Sequence, residues 1–372
     1  MHASLKAKKL ALLSATNTQQ DLFDHSVLEH EVTANLLCIY HAPNARCMMN
    51  PTPKPTYSQE WSAYNQAQVN EKSKFLELLF ELCKLIIEPP QTMGRPRAPL
   101  ADLIFASCLK IYSGLSGRRN QSDLREALQR GYLSRPVHYN TISKYLERED
   151  LTAYLKDLIV ESSLPLKDVE LDFAVDSSGF STGVYQKWVH AKWGKAQTIK
   201  KEDWIKVHVM CRVKTNIITS VEVTHAHAGD SPQFGPLVEK TSENFLMNSV
   251  CADKAYSSSK NLQLTLVKGA QPYIAFKSNA TANSVSNRQT SVWKRMFHLY
   301  SYNQAEFMRH YHKRSNVETT FSMIKRKFGE RLRAKTHTAQ VNEVLCKVLP
   351  HNLCCVIQSM YELGIEPNFY TE

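Results

Sequence analysis

The sequence has no long apolar run and no closely spaced cysteine pair. No segment approaches the roughly 18 apolar residues that a membrane-spanning helix needs, and the apolar stretch near its start is shorter than the roughly 7 to 15 residues of a signal peptide. The nine cysteines include no C-x-x-C pair, and their odd number argues against a complete disulfide framework. These absences predict a soluble, cytoplasmic protein with reduced thiols.

Acidic residues are in deficit. The chain has 35 Asp and Glu against 46 Lys and Arg, which gives a net charge of +11 and an isoelectric point near 9.1. Such a balance favours a polyanionic partner, most often nucleic acid. Because 372 residues exceed a typical single domain, two or more domains are expected.

The pattern of apolar residues changes twice along the chain. Residues 1–60 are uneven in composition and end in the proline-rich "NPTPKPTYSQ", which predicts a tail and an extended linker. Residues 61–165 show apolar positions three and four apart, which predicts a helical domain. A candidate helix-turn-helix at residues 120–149 makes it the predicted DNA-binding domain. Residues 166–365 begin with β-branched runs, including "WIKVHVMCRVKTNIITSVEVT", which reads as a hairpin, and end in helices. This order predicts an α/β domain.

Two aspartates follow short apolar strands. Asp176 ends the run in "VELDFAVDSSGF", and Asp253 ends the run in "MNSVCADKAYSS". Small residues follow both, as expected for carboxylates exposed where a strand ends. Asp172 lies four residues before Asp176, about 13 Å away along an extended strand, and so falls at the opposite end.

One acidic residue stands out in the basic segment "HYHKRSNVETTFSMIKRKFG". On a helix, Tyr311, Arg314, Glu318 and Lys325 fall within a sector of roughly 60°. Arg314 and Glu318 could form an exposed ion pair, worth about 0.3 to 0.5 kcal/mol. Alternatively, Glu318 could join the two aspartates and hold two divalent metals about 4 Å apart, an arrangement suited to phosphoryl transfer. Mg²⁺ fits such an all-oxygen site.

The spacing Tyr311, Arg314, Glu318 and Lys325 resembles the signature of the DDE transposases of bacterial insertion sequences, and "AVDSSGF" and "CADKAYSS" resemble the two aspartate regions of that family. The resemblance, which covers roughly residues 169–363, implies an α/β, RNase H-like mixed sheet flanked by helices. The smaller helical domain that the apolar spacing predicts precedes it. The resemblance also implies that the protein is a transposase. Such an enzyme acts as an endonuclease when it cuts DNA at terminal inverted repeats and as a polynucleotidyl transferase when it joins the strand to target DNA. The 64 residues between Asp253 and Glu318 leave room for only a modest insertion.

The same resemblance assigns roles to individual residues. Asp176, Asp253 and Glu318 become catalytic metal ligands for two Mg²⁺ ions, with Mn²⁺ able to substitute. Arg314, Lys325 and Tyr311 become contacts to terminal phosphates. The implied partner is double-stranded DNA, both element ends and target, bound by a homodimer or a larger oligomer. A catalytically inactive, DNA-binding derivative and an RNase H-like nuclease without strand transfer are the alternative functions.

Two other segments have features of DNA-binding elements. The stretch from Tyr185 to Trp204 interleaves basic and aromatic residues, which suits backbone contact and base stacking, although a surface loop with partly buried tryptophans explains it equally well. Its candidate contacts are Lys187, Trp188, Lys192 and Trp193. Residues 120–149 could form a helix-turn-helix with Asn140 capping its second helix, or a purely structural helical hairpin.

Two clusters look like metal sites but have simpler explanations. Cys38, His41 and Cys47 supply three of the four ligands of a structural zinc site, and no further pair completes the set. The segment "THAHAGD" ends in Asp230, for which a strand end followed by a helix cap is the commoner explanation.

Overall fold

Five helices come first in the computed structural model, which describes residues 60–91, 93–94, 97–182, 204–282 and 291–369. Each buries the apolar side chains that recur three and four positions apart in its sequence. This confirms the predicted helical region. The five helices are α1 Trp61–Cys83, α2 Leu100–Ser113, α3 Gln121–Gln129, α4 Tyr139–Leu146 and α5 Asp150–Ser163.

A five-stranded mixed sheet follows, with the spatial order β3-β2-β1-β4-β5. The pairs β1–β2 and β2–β3 are antiparallel, and the pairs β1–β4 and β4–β5 are parallel. The hairpin predicted from the "KTN" turn is the β2–β3 pair. The strands are β1 Asp172–Ser181, β2 Trp204–Arg212, β3 Ile218–His225, β4 Ser249–Ala252 and β5 Gln271–Ile274.

Helices connect the parallel strands and close the described chain. One crosses from β3 to β4 and another from β4 to β5, as parallel strands require. With its sheet order and flanking helices, the fold is the RNase H-like α/β fold that the sequence predicted. The later helices are α6 Ser231–Ser242, α7 Ser259–Val267, α8 Ser291–Tyr302, α9 Gln304–Tyr311, α10 Ser315–Phe328 and α11 His337–Leu363.

Two apolar clusters cover the two faces of the sheet. One cluster runs without a break from α1 and α5 through β2 to α10 and α11. The other packs α6, α7, α8 and α9 against β1, β4 and β5. The predicted boundary near residue 165 falls where the helices give way to strands, and the first cluster extends across it.

Helix α11 is the central element of the shared cluster. It packs against α1, α2 and α5, and it is buried over most of its length from Ala339 to Ser359. Its Asn352 also closes the edge of the sheet, because Oδ1 accepts a hydrogen bond from the Ile218 N–H at 2.9 Å and Nδ2 donates to the Ile218 carbonyl at 2.7 Å. The same amide donates to Ser162 in α5. One side chain therefore joins α11, α5 and the edge strand.

The segment predicted as a helix-turn-helix or a structural helical hairpin contains the two helices α3 and α4, and the cap of α4 differs from the sequence prediction. The residue that caps α4 is His138, whose side chain accepts a hydrogen bond from the Asn140 backbone N–H. Asn140 itself lies inside the helix. The sequence prediction missed this cap because the usual N-cap residues are Ser, Thr, Asp and Asn, and histidine is not one of them.

Seven cysteines and eleven α-helices lie within the described residues. All seven cysteines in these ranges are unpaired. No helix within them combines the length and the apolar character that crossing a membrane requires.

We expect the stability of the fold to fall as the pH drops from about 6.5 towards 4. Burial in α11 lowers the pKa of His351 to about 4, whereas the unfolded residue titrates near 6.5. Between these values the unfolded chain binds more protons, so acid favours unfolding by up to about 3 kcal/mol from this group. Urea unfolding of wild type and His351→Gln from pH 7.5 to 4.5 measures it. A stability difference that stays constant across this range would contradict the assignment.

Candidate active site

The parallel register of two strands places two aspartates side by side. The last residues paired between β1 and β4 are Val175 and Ala252, so Asp176 and Asp253 are the next residues on strands about 4.8 Å apart. Strand β4 ends there, and β1 continues to Ser181 paired only with β2. Asp176 thus lies in the middle of β1 and not at its end as predicted, although it does lie where the β4 ladder stops.

Side-chain alternation along β1 turns Asp176 toward helix α10. Residues 174, 176, 178 and 180 share one face, and Ala174 and Phe180 belong to the apolar cluster that includes α10. On this face Arg314 Nη1 donates to Asp176 Oδ2 at 2.8 Å, and Lys325 Nζ donates to Ser178 Oγ at 2.7 Å. The strand and the basic helical segment therefore meet along a line of polar contacts.

Arg314 joins the first carboxylate to the third. Its Nη2 donates to Glu318 Oε1 at 2.8 Å while Nη1 holds Asp176. The guanidinium also lies 5.9 Å from the centre of the Tyr311 ring. The Arg314–Glu318 pair that the sequence raised as an alternative is therefore present, and it extends to Asp176.

The sequence predicted that the basic segment forms one helix, and this prediction is wrong. Tyr311 ends α9, Arg314 lies in a 3₁₀ turn at His312–Arg314, and Glu318 and Lys325 lie in α10. The tighter turn changes the rotation per residue between Tyr311 and Glu318. All four side chains nevertheless line the same side of the site, through the contacts of Arg314 and Lys325.

The three carboxylates share one electrostatic environment. Burial raises the pKa of Asp176 most strongly. The Ser177 N–H and Arg314 oppose that rise, and the negative charges of Asp253 and Glu318 add to it. Asp253 is half-buried, and no hydrogen bond or ion pair of its carboxylate occurs in the described part of the chain. Three like charges close enough to raise one pKa form a site that a cation stabilises.

The donor set fits a hard divalent cation. Carboxylate oxygens are the ligands that Mg²⁺ prefers. Among the described residues the Asp253 carboxylate has no partner, and the other two carboxylates already share one cation, Arg314. Within the described ranges, no three His, Cys, Asp or Glu side chains already surround a common point. The pairing of Arg314 with Asp176 and Glu318 accounts for this, because it directs both carboxylates toward the guanidinium.

A buried polar network that sequence reasoning did not find lies on the opposite face of β1. Asp230 Oδ1 accepts from Ser177 Oγ at 2.9 Å and pairs with Lys206 Nζ at 2.6 Å and with His208 Nδ1 at 3.4 Å. His208 also hydrogen-bonds to the hydroxyl of Tyr256 at 3.3 Å. Asp230 precedes α6, as predicted, but its side chain makes no capping bond.

This network links the two aspartate segments. Ser177 follows Asp176 directly, and Tyr256 ends the 3₁₀ turn that begins one residue after Asp253. The ladder between β1 and β4 stops at Val175 and Ala252, so side chains hold the two segments together beyond that point. Asp230 is therefore placed to fix the relative positions of the two carboxylates from behind.

If Asp176 and Asp253 are the metal ligands that the sequence predicts, replacing Asp230 by Asn is expected to slow the predicted DNA cleavage by about 10- to 100-fold, the usual cost of losing an outer-shell partner of a metal ligand. DNA affinity should change less than about twofold, because Asp230 faces away from α10. Single-turnover cleavage and binding assays measure both quantities. The exposed Asp157, on α5, provides a matched Asp→Asn control that should behave as wild type. Equal cleavage rates for the two variants would show that Asp230 does not position Asp176 and Asp253.

Several predicted residues lie outside the described part of the chain. The candidate DNA contacts Lys187, Trp188, Lys192 and Trp193 fall in residues 183–203, and Cys38, His41 and Cys47 fall in residues 1–59. Of the predicted set that is described, the structure brings Asp176, Glu318, Arg314 and Tyr311 together directly. Asp253 joins them through the strand register and through its effect on the Asp176 pKa.

A comparison with known families agrees with this geometry. A family model described as a transposase DDE domain matches residues 168–353, which is half of the chain. The chain therefore belongs to the family of transposases with a DDE domain, as the resemblance implied. No curated protein matches the chain.

Proposed function

We propose that the protein is a DNA transposase that cuts DNA at the terminal inverted repeats of its element and joins the cut ends to target DNA. The observation that supports this most strongly is the placement of Asp176 and Asp253 on adjacent parallel strands, with Glu318 linked to Asp176 through Arg314. Phosphoryl transfer by metal-assisted attack requires such a group of carboxylates and no covalent enzyme intermediate.

In this proposal Asp176, Asp253 and Glu318 hold two Mg²⁺ ions, for which Mn²⁺ can substitute. When bound, such ions activate an attacking oxygen and stabilise the leaving one. The protein supplies the rigid frame: β1 and β4 fix the two aspartates, and the first turn of α10 fixes Glu318. Each carboxylate belongs to a different element, so the fold itself sets their separation.

The basic residues of the same face would hold DNA phosphates. Arg314 uses one nitrogen for each carboxylate, and a guanidinium carries five N–H donors. Lys325 donates to a single neutral hydroxyl, that of Ser178. Both cations therefore keep donors for phosphate oxygens. Tyr311, whose ring centre lies 5.9 Å from the Arg314 guanidinium, is the third proposed phosphate contact on this face.

Two further parts of the proposal concern partners and location. Two element ends must be held together for joining, so we place the working form as a homodimer or larger oligomer on double-stranded DNA. We place the protein in the cytoplasm, in keeping with the unpaired, mostly buried cysteines of the described residues. Lys187, Trp188, Lys192 and Trp193 remain proposed DNA contacts.

The products of the reaction test the function. Purified protein is incubated with plasmid DNA that carries the gene's own flanking ends, in Mg²⁺ or in EDTA, and the products are sequenced. We expect cuts at the ends and joined strands, both only with metal. Cutting without joining would identify a nuclease, and DNA binding without cutting would identify an inactive derivative. Either result contradicts the proposal.

A further inference from the structure

A cavity of about 740 Å³ opens between the helical region and the segment that follows α10. Residues of α2 and α4 form one wall, and residues 328–335 form the other. Arg333 fastens the two walls together, because its guanidinium donates to the carbonyls of Gly114 and Leu115 at 3.2 Å each. The cavity is therefore built by two distant parts of the chain.

Positive charge is in excess around this cavity. Six cationic side chains line it, against the three carboxylates of Glu147, Glu330 and Glu343. Glu343 is already committed to the backbone N–H groups of Arg333 and Ala334. The six cations are Lys110, Lys325, Arg331, Arg333, Lys335 and Lys347.

Several of these cations lack the partners that such groups ordinarily have. The side chains of Lys110, Arg331 and Lys335 make no hydrogen bond or ion pair within the described residues. Lys347 is buried, and among the described residues its ammonium donates to the carbonyls of Gly329 and Arg331 and to no carboxylate. Lys110 is half-buried, and Arg331 and Lys335 are exposed at the mouth of the cavity. Burial of a cation without a hydrogen-bonded anion is costly, so an anion that enters the cavity would stabilise Lys110 and Lys347 and could also reach the exposed cations.

The electrostatics of the lysines agree with this description. The pKa of Lys347 is lowered to about 8, mainly by burial; the negative charge of Glu343 opposes this shift and the positive charge of Arg333 adds to it. Burial and Arg333 act in the same direction on the pKa of Lys110, against the opposing effect of Glu343. Burial also lowers the pKa of Lys325. Three ammonium groups around one cavity are thus less stable in their charged form than in water.

Lys325 lies between the cavity and the candidate active site. This lysine lines the cavity, and its ammonium donates to Ser178, two residues beyond Asp176 on the same face of β1. A chain of negative charges that passes the carboxylates and Lys325 therefore reaches the cavity next. Regularly spaced phosphates of a nucleic acid strand have this chemistry.

We propose that this cavity binds the phosphodiester backbone of the DNA next to the bond that is cut, with Lys110 and Lys335 as contacts. This inference rests on the proposed function, because it takes the carboxylate site as the place of cutting. Backbone contacts carry no sequence information. The site would accordingly hold element ends and target DNA alike, and the helical region would contribute to it through α2 and α4.

DNA binding without metal tests the proposal. Fluorescence polarisation in EDTA, from 50 to 300 mM salt, compares wild type, Lys110→Gln, Lys335→Gln and the double variant. The probes are a labelled duplex from the gene's flanking end and an unrelated duplex of equal length. Lys268→Gln, which removes an exposed lysine just beyond α7, is the charge-matched control.

We expect each single cavity variant to raise Kd about threefold to tenfold on both duplexes. The steepness of the plot of log Kd against log salt concentration, the salt slope, should fall by about 1 for each. The double variant should lose about 2 from the slope, and Lys268→Gln should match wild type. Lys335 is exposed, so its replacement leaves folding intact even if Lys110→Gln alters stability. Cavity variants that bind like Lys268→Gln overturn the proposal. The binding assay needs no cleavage, so its result can be interpreted even if the protein does not cut DNA. A protein that binds DNA through the cavity but does not cut it would refute the proposed function and not this inference.

Discussion

Replacing Asp253 by Asn is expected to lower the rate of DNA cleavage at least about 1,000-fold, equivalent to roughly 4 kcal/mol of activation free energy. The amide keeps the shape of the side chain but removes the charge that a divalent cation needs. The Asp253 carboxylate makes no hydrogen bond or ion pair within the described residues, so its loss removes no contact that holds the fold. Stability should be unchanged or slightly higher, because one of three neighbouring negative charges is gone.

The same loss is expected for Asp176→Asn, and Asp172→Asn is the matched control. Asp172 lies on the same strand, but it pairs with Lys313 at 2.7 Å and accepts from Ser249, away from the site. Single-turnover cleavage of end-carrying DNA, with thermal unfolding of each variant, measures the effect. Cleavage by Asp253→Asn at the wild-type rate would exclude it as a ligand, whatever the control shows.

Replacing Asn352 by Leu is expected to lower the free energy of unfolding by about 4 kcal/mol. The buried amide makes four hydrogen bonds: two with the peptide groups of Ile218, one with the Ser162 hydroxyl and one with the Ile159 carbonyl. Leucine fills a similar volume but leaves the N–H and carbonyl of Ile218 buried without the Asn352 amide, at about 1 to 3 kcal/mol for each unsatisfied group. The Ser162 hydroxyl and the Ile159 carbonyl keep their hydrogen bond to each other. Urea unfolding measures the change.

Gln358→Leu, on the same helix, is the control for that substitution. Its half-buried amide donates only to Glu362, at 2.9 Å, so the change should cost less than about 0.5 kcal/mol. If the two variants were equally stable, α11 would not tie the helical region to the edge of the sheet. The shared apolar cluster would then be the sole link between them.

Local sequence patterns predicted most of the architecture. The β-branched runs of β2 and β3, the apolar residues before Asp253, and the helical spacing before residue 165 each depend on neighbours along the chain. Each led to the correct type of element. The Asp, Asp, Glu order and the spacing from Tyr311 to Lys325 led to the correct family.

The errors came where packing overrides the local pattern. The run "DSSGFS" looks like the end of a strand, yet β1 continues through it because β2 pairs with it as far as Ser181. Gly179 fits there because a Cβ would lie 2.9 Å from the Trp204 ring, which packs over it. The basic segment was expected to form one helical face, but the 3₁₀ turn at Arg314 breaks it.

Other features depend on residues far apart in sequence and left no local signal. The Asp230 network joins side chains from β1, β2, α6 and the turn after β4, and the cavity joins α2 and α4 to residues more than 180 positions later. Asp230 looked like a helix cap because its position before Ser231 and Pro232 fits one. Only the three-dimensional fold shows that its carboxylate instead faces Ser177 and His208.

The claim that Asp176, Asp253 and Glu318 form a metal site is tested most directly by counting bound ions. Electron paramagnetic resonance of Mn²⁺, titrated into the protein bound to end-carrying DNA, compares wild type with the Asp176→Asn, Asp253→Asn double variant. We predict that wild type binds up to two more ions per protein than the variant at equal DNA occupancy. Equal numbers of ions bound with equal affinity would contradict the account.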